Sequence, residues 1–181
     1  QWMATWARAG RTPSDLGFED GKFLLPDLRV TEHLFPTGME HDGLLPWTAK
    51  TLAEQRQERK RTLNPRCEKT ASLVPKDRPC IVWCNLNSES ELLTRLIPDA
   101  IEVTGSMKDE MKEERLNGFA TNNQIRVLVT KSRIAGFGLN LQHCSDVCYF
   151  PSHSHEQFYQ AIRRCWRFGQ ENPVNCRLVA S

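Results

Sequence analysis

Short apolar runs alternate with amphipathic stretches along the second half of the chain. Runs typical of strands covered on both faces lie at 80–84, 101–103, 125–130, 146–150 and 176–180. Between two of them, Leu92, Leu93, Leu96 and Ile97 recur at helical spacing. Strands separated by helices predict right-handed crossovers, and therefore a three-layer α/β fold with a mostly parallel central sheet and helices on both faces. Ligands of such sheets bind at the loops that leave the carboxyl ends of the strands.

The first 75 residues lack this alternation. Proline and glycine interrupt short apolar pieces throughout residues 1–47, which predicts loops with one or two short strands. Residues 48–75 are helix formers that Asn64-Pro65 is expected to divide in two. This irregular and helical N-terminal extension precedes a lobe at 76–181. The basic residues of its helical part are Arg56, Arg59, Lys60, Arg61, Arg66 and Lys69. They form either a solvated helix face or a surface that faces phosphates.

The composition fits one globular domain with appendages. Hydrophobic residues make up 39% of the 181, which suffices for one sizeable core. The net charge of +2 is too small to identify a nucleic-acid partner by itself. No apolar run approaches the roughly 20 residues that span a bilayer, and no export signal is apparent, so no membrane partner is expected. Both ends of the sequence have the character of cuts through a longer protein.

The cysteines favour buried thiols over a disulfide framework. Their number is odd, at seven, and several lie within the strand-like runs. A zinc site is an alternative interpretation, although the spacing differs from the usual Cys-x2-Cys pattern. Its ligands would come from Cys144, Cys148, His143, His153 and His155. On that interpretation the chain is a zinc-dependent interaction module, and metal analysis of the purified protein decides the matter.

Paired arginines mark the strongest candidate for chemistry. A helix predicted over 156–168 projects Arg164 and Arg167 from one face, with Gln160 one turn earlier. Aligned guanidinium groups repel each other unless an anion lies between them, and arginine presents planar donors that suit phosphate. A solvated basic helix is the alternative, but the aromatic neighbours Phe158 and Trp166 need cover.

A second candidate follows the strand at 125–130. Gly136 and Gly138 are one residue apart, in the loop that leads to Asn140. Glycines let the backbone approach a ligand closely, and their amides can face an anion. Taken alone, this pair is also compatible with a simple tight turn.

These segments together resemble the motifs of the Swi/Snf-type ATPases of helicase superfamily two. Residues 160–170 (Gln-Ala-x-x-Arg-x-x-Arg-x-Gly-Gln) resemble motif VI, and 130–141 resemble motif V. Residues 81–87 lie where motif IV is expected, and 103–106 resemble the glycine-turn block between them. The resemblance covers about residues 76–181, in the expected order, and is greatest to bacterial and phage-type members. Arg163 and Trp166 depart from the pattern, because many relatives have an acid and a histidine there.

The resemblance implies the C-terminal, second RecA-like lobe of an ATP-dependent DNA helicase or translocase. In the family, ATP and Mg lie between two lobes, and the first lobe supplies the phosphate loop and the Mg-binding acid. Arg164 and Arg167 would be the arginine fingers, and Gln160, Gly136, Gly138 and Asn140 would approach the nucleotide. The expected partners are the first lobe of the same parent protein and DNA, bound through its backbone without sequence specificity. The residues expected to face DNA are Asn85, Asn87, Gly105, Ser106, Lys131 and Ser132.

A phosphate loop of the form Gly-x4-Gly-Lys-Ser/Thr is missing from the sequence, since the only Gly-Lys pair, Gly21-Lys22, precedes Phe23. The chain alone is therefore expected not to hydrolyse ATP. Residues 1–47 are interpreted as the tail of the first lobe plus the inter-lobe crossing segment. Two other functions stay open: a non-catalytic nucleic-acid-binding module with the same fold, and the lobe of an RNA helicase. The expected location is the cytoplasm of a bacterium or a phage-infected bacterial cell.

Overall fold

A six-stranded parallel sheet forms the centre of the protein in the computed structural model. The structure describes residues 10, 12–35, 51–121, 125–134, 139–152 and 154–181, without the side chains of Lys22 and Leu52. The strands are β1 (Leu28–Leu34), β2 (Cys80–Cys84), β3 (Ala100–Val103), β4 (Val127–Lys131), β5 (Asp146–Tyr149) and β6 (Val174–Ala180). Their order in the sheet is β1-β6-β5-β2-β4-β3, and every neighbouring pair is parallel.

Helices cover both faces of this sheet. They are α1 (Leu52–Arg61), α2 (Leu63–Leu73), α3 (Asn87–Leu96), α4 (Asp109–Ala120) and α5 (His155–Ile162). Side chains of the central strand β2 alternate between two cores. Ile81 and Trp83 pack with residues of α4 and α5 such as Phe119 and Ile162. The neighbouring positions, including Val82, pack with residues of α2 and α3. The three-layer α/β prediction is confirmed.

The N-terminal segment contributes an edge strand to the same sheet. β1 pairs with β6 along its whole length, from Leu28 opposite Val174 to Leu34 opposite Ala180. Just before β1, the Pro26 carbonyl oxygen accepts a 2.7 Å hydrogen bond from the indole nitrogen of Trp166. Residues 28–34, which the sequence assigned to a loop-rich segment with short strands, are therefore continuous with the sheet.

The break between the two extension helices falls earlier than predicted. α1 ends and α2 begins at Thr62, whereas the sequence placed the division at Asn64-Pro65. Pro65 lies in the first turn of α2, where its missing N–H has no intrahelical partner to lose. Cys67 on α2 is fully buried and packs with Leu93 of α3, so α2 forms part of the core.

A buried ion pair joins α2 to α3. Arg66 Nη1 and Glu89 Oε1 are 2.9 Å apart, and their side chains are only 3% and 1% exposed. The second oxygen of Glu89 accepts from the backbone N–H groups of Asn85 and Leu86, each at 2.9 Å. The guanidinium group of Arg66 also lies over the Phe150 ring, 5.1 Å from its centroid. A charge this deeply buried requires all of these partners, because an unpaired one costs several kcal/mol.

All seven cysteines are buried and unpaired. Burial raises the pKa of the Cys67, Cys84 and Cys176 thiols to about 12, which keeps them protonated. Among the described residues, no group of three or more His, Cys, Asp and Glu could hold a metal ion. His153 of the zinc alternative lies outside the described residues. No helix within those ranges is long and apolar enough to cross a membrane.

His143 is half-buried in the turn after Leu141. Its ring packs edge-on against Phe119, with centroids 5.1 Å apart, and its Nε2 atom has no hydrogen-bond partner in the described part of the chain. Burial lowers the pKa of His143 from its ordinary 6.5, and a hydrogen bond with the Phe119 backbone only partly opposes this. The folded protein therefore favours the neutral imidazole.

We expect the free energy of unfolding to fall as the pH drops below 6.5, the ordinary pKa of the His143 imidazole. Because the folded-state pKa of His143 is lowered, the unfolded chain binds more protons there. The stabilisation is complete above pH 6.5 and is lost as the pH falls toward the lowered pKa. Urea unfolding about one pH unit above and one below the ordinary histidine pKa measures it. His143→Gln is expected to lose less stability between these two conditions, and an equal loss contradicts the assignment.

Candidate functional site

An arginine-lined cavity lies beside the segment that follows α5. Its volume is about 300 Å³, and we call it the arginine cavity. The residues that line it are Gln160, Arg163, Arg164, Arg167 and Phe168. The two arginines that the sequence singled out therefore do share one site, together with the glutamine one turn before them.

The arginines project from turns, which corrects the predicted helix over 156–168. α5 ends at Ile162, and the residues after it form successive turns. The Arg164 N–H bonds to the Ala161 carbonyl at 3.3 Å, and the Arg164 carbonyl accepts from the N–H of Leu141 at 3.0 Å. Helical spacing does not align Arg164 and Arg167, because the backbone leaves the helix after Ile162, but the turns still bring both guanidinium groups to one cavity.

The electrostatics of the cavity favour an anion. Burial, and then the nearby charge of Arg167, lower the pKa of Arg164. None of the ion pairs formed within the described ranges involves Arg163, Arg164 or Arg167, and no described carboxylate lines the cavity. A bound phosphate would relieve both the desolvation of Arg164 and its repulsion by Arg167.

Arg163 adds a third guanidinium group to the arginine cavity. Its Cζ lies 5.8 Å from the centroid of the Tyr159 ring and 5.4 Å from that of the Trp166 ring. These cation–π contacts hold the guanidinium group of Arg163. The Trp166 ring is a fixed partner because its indole N–H donates to the Pro26 carbonyl. The sequence identified this residue only as a departure from the family pattern, and its place in the cavity was missed.

Gly169 and Gln170 shape the turn that carries the arginines. Gly169 has φ +89°, and a Cβ atom there would lie 2.7 Å from Gln142 Oε1. The backbone conformation thus favours glycine, and any other residue would also have to displace the Gln142 side chain. The Gln170 side chain is buried and donates to the carbonyls of Cys144 and Cys165 at 3.2 and 3.3 Å. These two residues act on the fold of the turn, not on a ligand.

The predicted nucleotide-facing residues do not all lie in the arginine cavity. Gln160 is exposed and lines the arginine cavity. Asn140 is also exposed, but it bonds to Gln142 through both its Nδ2 and Oδ1 atoms, at 3.3 Å each, and does not line the cavity. Gly136 and Gly138 lie outside the described residues. Their roles stay predictions.

A second, larger cavity lies where β2, β4 and β5 reach their carboxyl ends, as parallel-sheet geometry predicts. Its volume is about 520 Å³, and we call it the strand-end cavity. The residues that line it are Arg59, Cys84, Asn85, Lys131, Ser132, Arg133, Ser152, Ser154 and Gln157. Three cations and several hydroxyl and amide groups converge here, and no described carboxylate lines it.

Hydrogen bonds fix several of these side chains. Asn85 Nδ2 donates to the carbonyls of Phe150 and Pro151, at 2.9 and 3.1 Å, and so ties β2 to the segment after β5. With its amide oxygen turned toward Arg133, Gln157 accepts from that guanidinium group at 3.1 and 3.3 Å. Lys131 Nζ donates to Asn87 Oδ1. The cavity wall is therefore largely preorganised.

Three of the six predicted DNA-facing residues line the strand-end cavity, namely Asn85, Lys131 and Ser132. Asn87 is exposed and adjoins it through Lys131. Gly105 and Ser106 are exposed in the turn after β3, and a Cβ atom on Gly105 would lie 3.8 Å from Ile134 of the loop after β4. They lie at the same edge of the sheet but not in the cavity.

Several lining residues escaped the sequence analysis, namely Arg59, Arg133, Ser152, Ser154 and Gln157. Arg133 had a usable signal, because it follows Lys131-Ser132 at the end of a strand. Arg59 appeared only as one member of a basic helix, and nothing in the sequence showed that α1 reaches this cavity.

The fold defines a class: a RecA-like α/β lobe, here with one basic cavity at the carboxyl ends of its central strands and another lined by arginines after α5. The chain belongs to the helicase conserved C-terminal domain family, whose model matches residues 65–169. This domain is the C-terminal lobe of the ATP-dependent helicases and translocases of superfamily two.

Similarity to individual proteins is partial. The chain is 28% identical over 114 residues to the TATA-binding protein-associated factor mot1 of Aspergillus fumigatus, a match that covers 58% of the chain and 6% of that protein. The mot1 of Schizosaccharomyces pombe is 29% identical over 104 residues, a match that covers 52% of the chain and 5% of that protein. The chain thus spans about 6% of the length of these curated relatives.

Two solved structures share the fold. The crystal structure of the C-terminal part of the Fun30 ATPase domain has a TM-score of 0.52 at 20% identity, covering 59% of this chain and 36% of that one. The structure of the Mycobacterium smegmatis helicase Lhr bound to ssDNA and AMP-PNP has a TM-score of 0.57 at 18% identity. The match covers 84% of this chain and 19% of that one. At these identities, the likeness shows the fold alone.

Proposed function

We propose that the chain is the second motor lobe of a Swi/Snf-type ATP-dependent DNA helicase or translocase and that Arg164 and Arg167 are its arginine fingers. One observation carries this proposal: two guanidinium groups that form no ion pair within the described residues share one cavity, where burial and then the charge of Arg167 lower the pKa of Arg164. A protein that only binds nucleic acid does not need such a pair. The sequence similarity to mot1 supports the Swi/Snf branch.

The arginines would act on charge that develops during phosphoryl transfer. ATP with Mg, held mainly by the first lobe, supplies the transferring phosphoryl group. Arg164 and Arg167 then face its oxygens and neutralise the charge that spreads over them. Gln160 lines the same cavity and would contact the nucleotide, while Arg163 adds further positive charge.

The strand-end cavity would hold the backbone of one DNA strand. Lys131 and Ser132 can donate to phosphate oxygens, and Asn87, Gly105 and Ser106 extend the surface along the same edge. Contacts to phosphates position a strand without reading its sequence. Closing and opening of the two lobes with ATP would then alternate the grip on DNA.

We keep the predicted division of the chain as a proposal, with residues 28–34 counted in the lobe because β1 lies in its sheet. The remaining part of 1–47 would connect to the first lobe, and 48–75 would be a basic helical extension. We also propose that the parent protein is of bacterial or phage type and acts in the cytoplasm.

Measurements of ATP hydrolysis by the two-lobed protein and by the 181-residue chain alone test the proposed function. We expect the protein with both lobes to hydrolyse ATP faster when DNA is added. The 181-residue chain alone is expected to show no Mg-dependent turnover. Turnover by the chain alone that Arg167→Ala abolishes would overturn the requirement for a first lobe. DNA binding without any DNA-stimulated hydrolysis in the two-lobed protein indicates the non-catalytic binding module instead, and stimulation by RNA but not by DNA indicates the RNA helicase lobe.

A further inference from the structure

The basic helix α1 supplies one wall of the strand-end cavity. Arg59 of α1 lines that cavity together with Lys131 and Arg133 of the loop after β4. The residues matched by the family model begin at 65, after the end of α1. This cation therefore comes from a part of the chain that the family match does not include.

The position of Arg59 is fixed by the buried ion pair of α2 and α3. Arg66 Nη2 donates to the backbone carbonyl of Arg59 at 2.7 Å, while Arg66 Nη1 pairs with Glu89 at 2.9 Å. Glu89 in turn accepts from the N–H of Asn85, which lines the cavity. One connected set of buried polar contacts therefore holds α1 and the loop after β2 in a defined relation.

The position of Arg59 separates it from the other basic residues of α1. Arg59 lines the strand-end cavity, whereas Arg56 and Lys60 are exposed outside it. Inside the cavity, Arg59, Lys131 and Arg133 converge with serine hydroxyls. Groups of this kind neutralise and bond to phosphate oxygens.

We propose that α1 is part of the nucleic-acid interface and that Arg59 contacts a backbone phosphate of the strand that occupies the strand-end cavity. This inference rests on the proposed function, because it assumes that nucleic acid occupies that cavity. It adds an element from outside the matched domain, so the groove is bounded by α1 on one side and by the loop after β4 on the other.

The test measures binding of the chain to a fluorescent oligothymidylate of about 15 nucleotides by anisotropy, over a series of chloride concentrations. Arg59→Gln is expected to weaken binding several-fold at low salt. It should also reduce the slope of log K against log salt by about 0.7, the value for one phosphate contact on a single strand. Because Arg66 bonds to the backbone of residue 59, this substitution leaves the buried network in place.

Lys60→Gln is the matched control, since it removes the same charge from the same helix at an exposed position outside the cavity. We expect Lys60→Gln to have the same slope of log K against log salt as the unsubstituted chain. Arg59→Lys, which keeps the charge, should bind nearly as tightly as the unsubstituted chain. If Lys131→Gln lowers the slope but Arg59→Gln behaves like Lys60→Gln, the role of α1 is wrong and the proposed function stands. If Lys131→Gln has no effect, nucleic acid does not occupy the cavity, and both proposals fail.

Discussion

Replacing Arg167 with alanine is expected to slow ATP hydrolysis by the two-lobed enzyme by roughly 10³–10⁵-fold in kcat, the effect of arginine fingers elsewhere. The loss should fall on kcat because the guanidinium group meets the charge that develops in the transition state. Arg167 forms no ion pair among the described residues, so its removal leaves no buried carboxylate without a partner. Steady-state kinetics with saturating DNA measures the effect.

The matched control for this experiment is Arg95→Ala. Arg95 is exposed on α3, and its Nε donates to the Glu91 carbonyl at 3.4 Å. We expect kcat to stay unchanged in this variant and DNA affinity to stay unchanged in both. A kcat within a few-fold of the original after Arg167→Ala removes the central support of the motor assignment. Arg164→Ala together with Arg167→Ala should lose less than the product of the single losses, because the two residues act as a unit.

Removing the buried cation of the α2–α3 ion pair is expected to cost about 3–5 kcal/mol of unfolding free energy. Among the described residues, Arg66→Ala leaves the Glu89 carboxylate, which is 1% exposed, with the two backbone N–H donors of Asn85 and Leu86. It also frees the Arg59 carbonyl and the Phe150 ring from the guanidinium group. Urea unfolding followed by circular dichroism measures the change in unfolding free energy.

Lys112→Ala is the control for this comparison. Lys112 Nζ lies 3.0 Å from Asp109 Oδ1 on α4, but Asp109 is 98% exposed. Breaking such a surface pair is expected to cost about 0–1 kcal/mol. Equal losses in the two variants would show that burial does not set the strength of the α2–α3 pair. The double variant Arg66→Met, Glu89→Gln should be more stable than Arg66→Ala, because it leaves no unpaired charge.

Hydrophobic patterning predicted the architecture because the central strands β2, β4 and β5 are buried on both faces. The runs at 80–84 and 146–150 coincide with β2 and β5 to within one residue. Such runs are readable because both cores select apolar side chains at successive positions. β1 was less visible, since it lies at the sheet edge and most of its residues are exposed.

Element ends and the deepest polar contacts were not predictable in the same way. The end of α5 at Ile162 depends on tertiary bonds such as that between Leu141 N–H and the Arg164 carbonyl, which have no local signature. The Arg66–Glu89 pair joins residues 23 positions apart, so sequence spacing could not reveal it. Arg66 appeared in the sequence as one of several surface charges and is in fact 3% exposed.

The site was predictable where a motif marks it. Arg164, Arg167 and Gln160 could be singled out because their spacing is unusual, and the structure brings them to one cavity. The strand-end cavity was predicted in part, since Lys131 and Ser132 directly follow a strand. Its contributions from α1 and from the start of α5 arise from tertiary packing, which no spacing along the chain encodes.

The segment from Lys131 to Gln142 begins in one cavity and ends beside the other. At its far end, Leu141 bonds to Arg164 and Gln142 packs against Gly169, so the segment and the arginine turn share backbone contacts. Ligands bound in the two cavities would therefore contact opposite ends of the connection between β4 and β5. By thermodynamic reciprocity, the factor by which a strand at Lys131 would change the affinity for phosphate at Arg164 equals the factor in the opposite direction. Measuring either factor gives the coupling free energy between the two cavities.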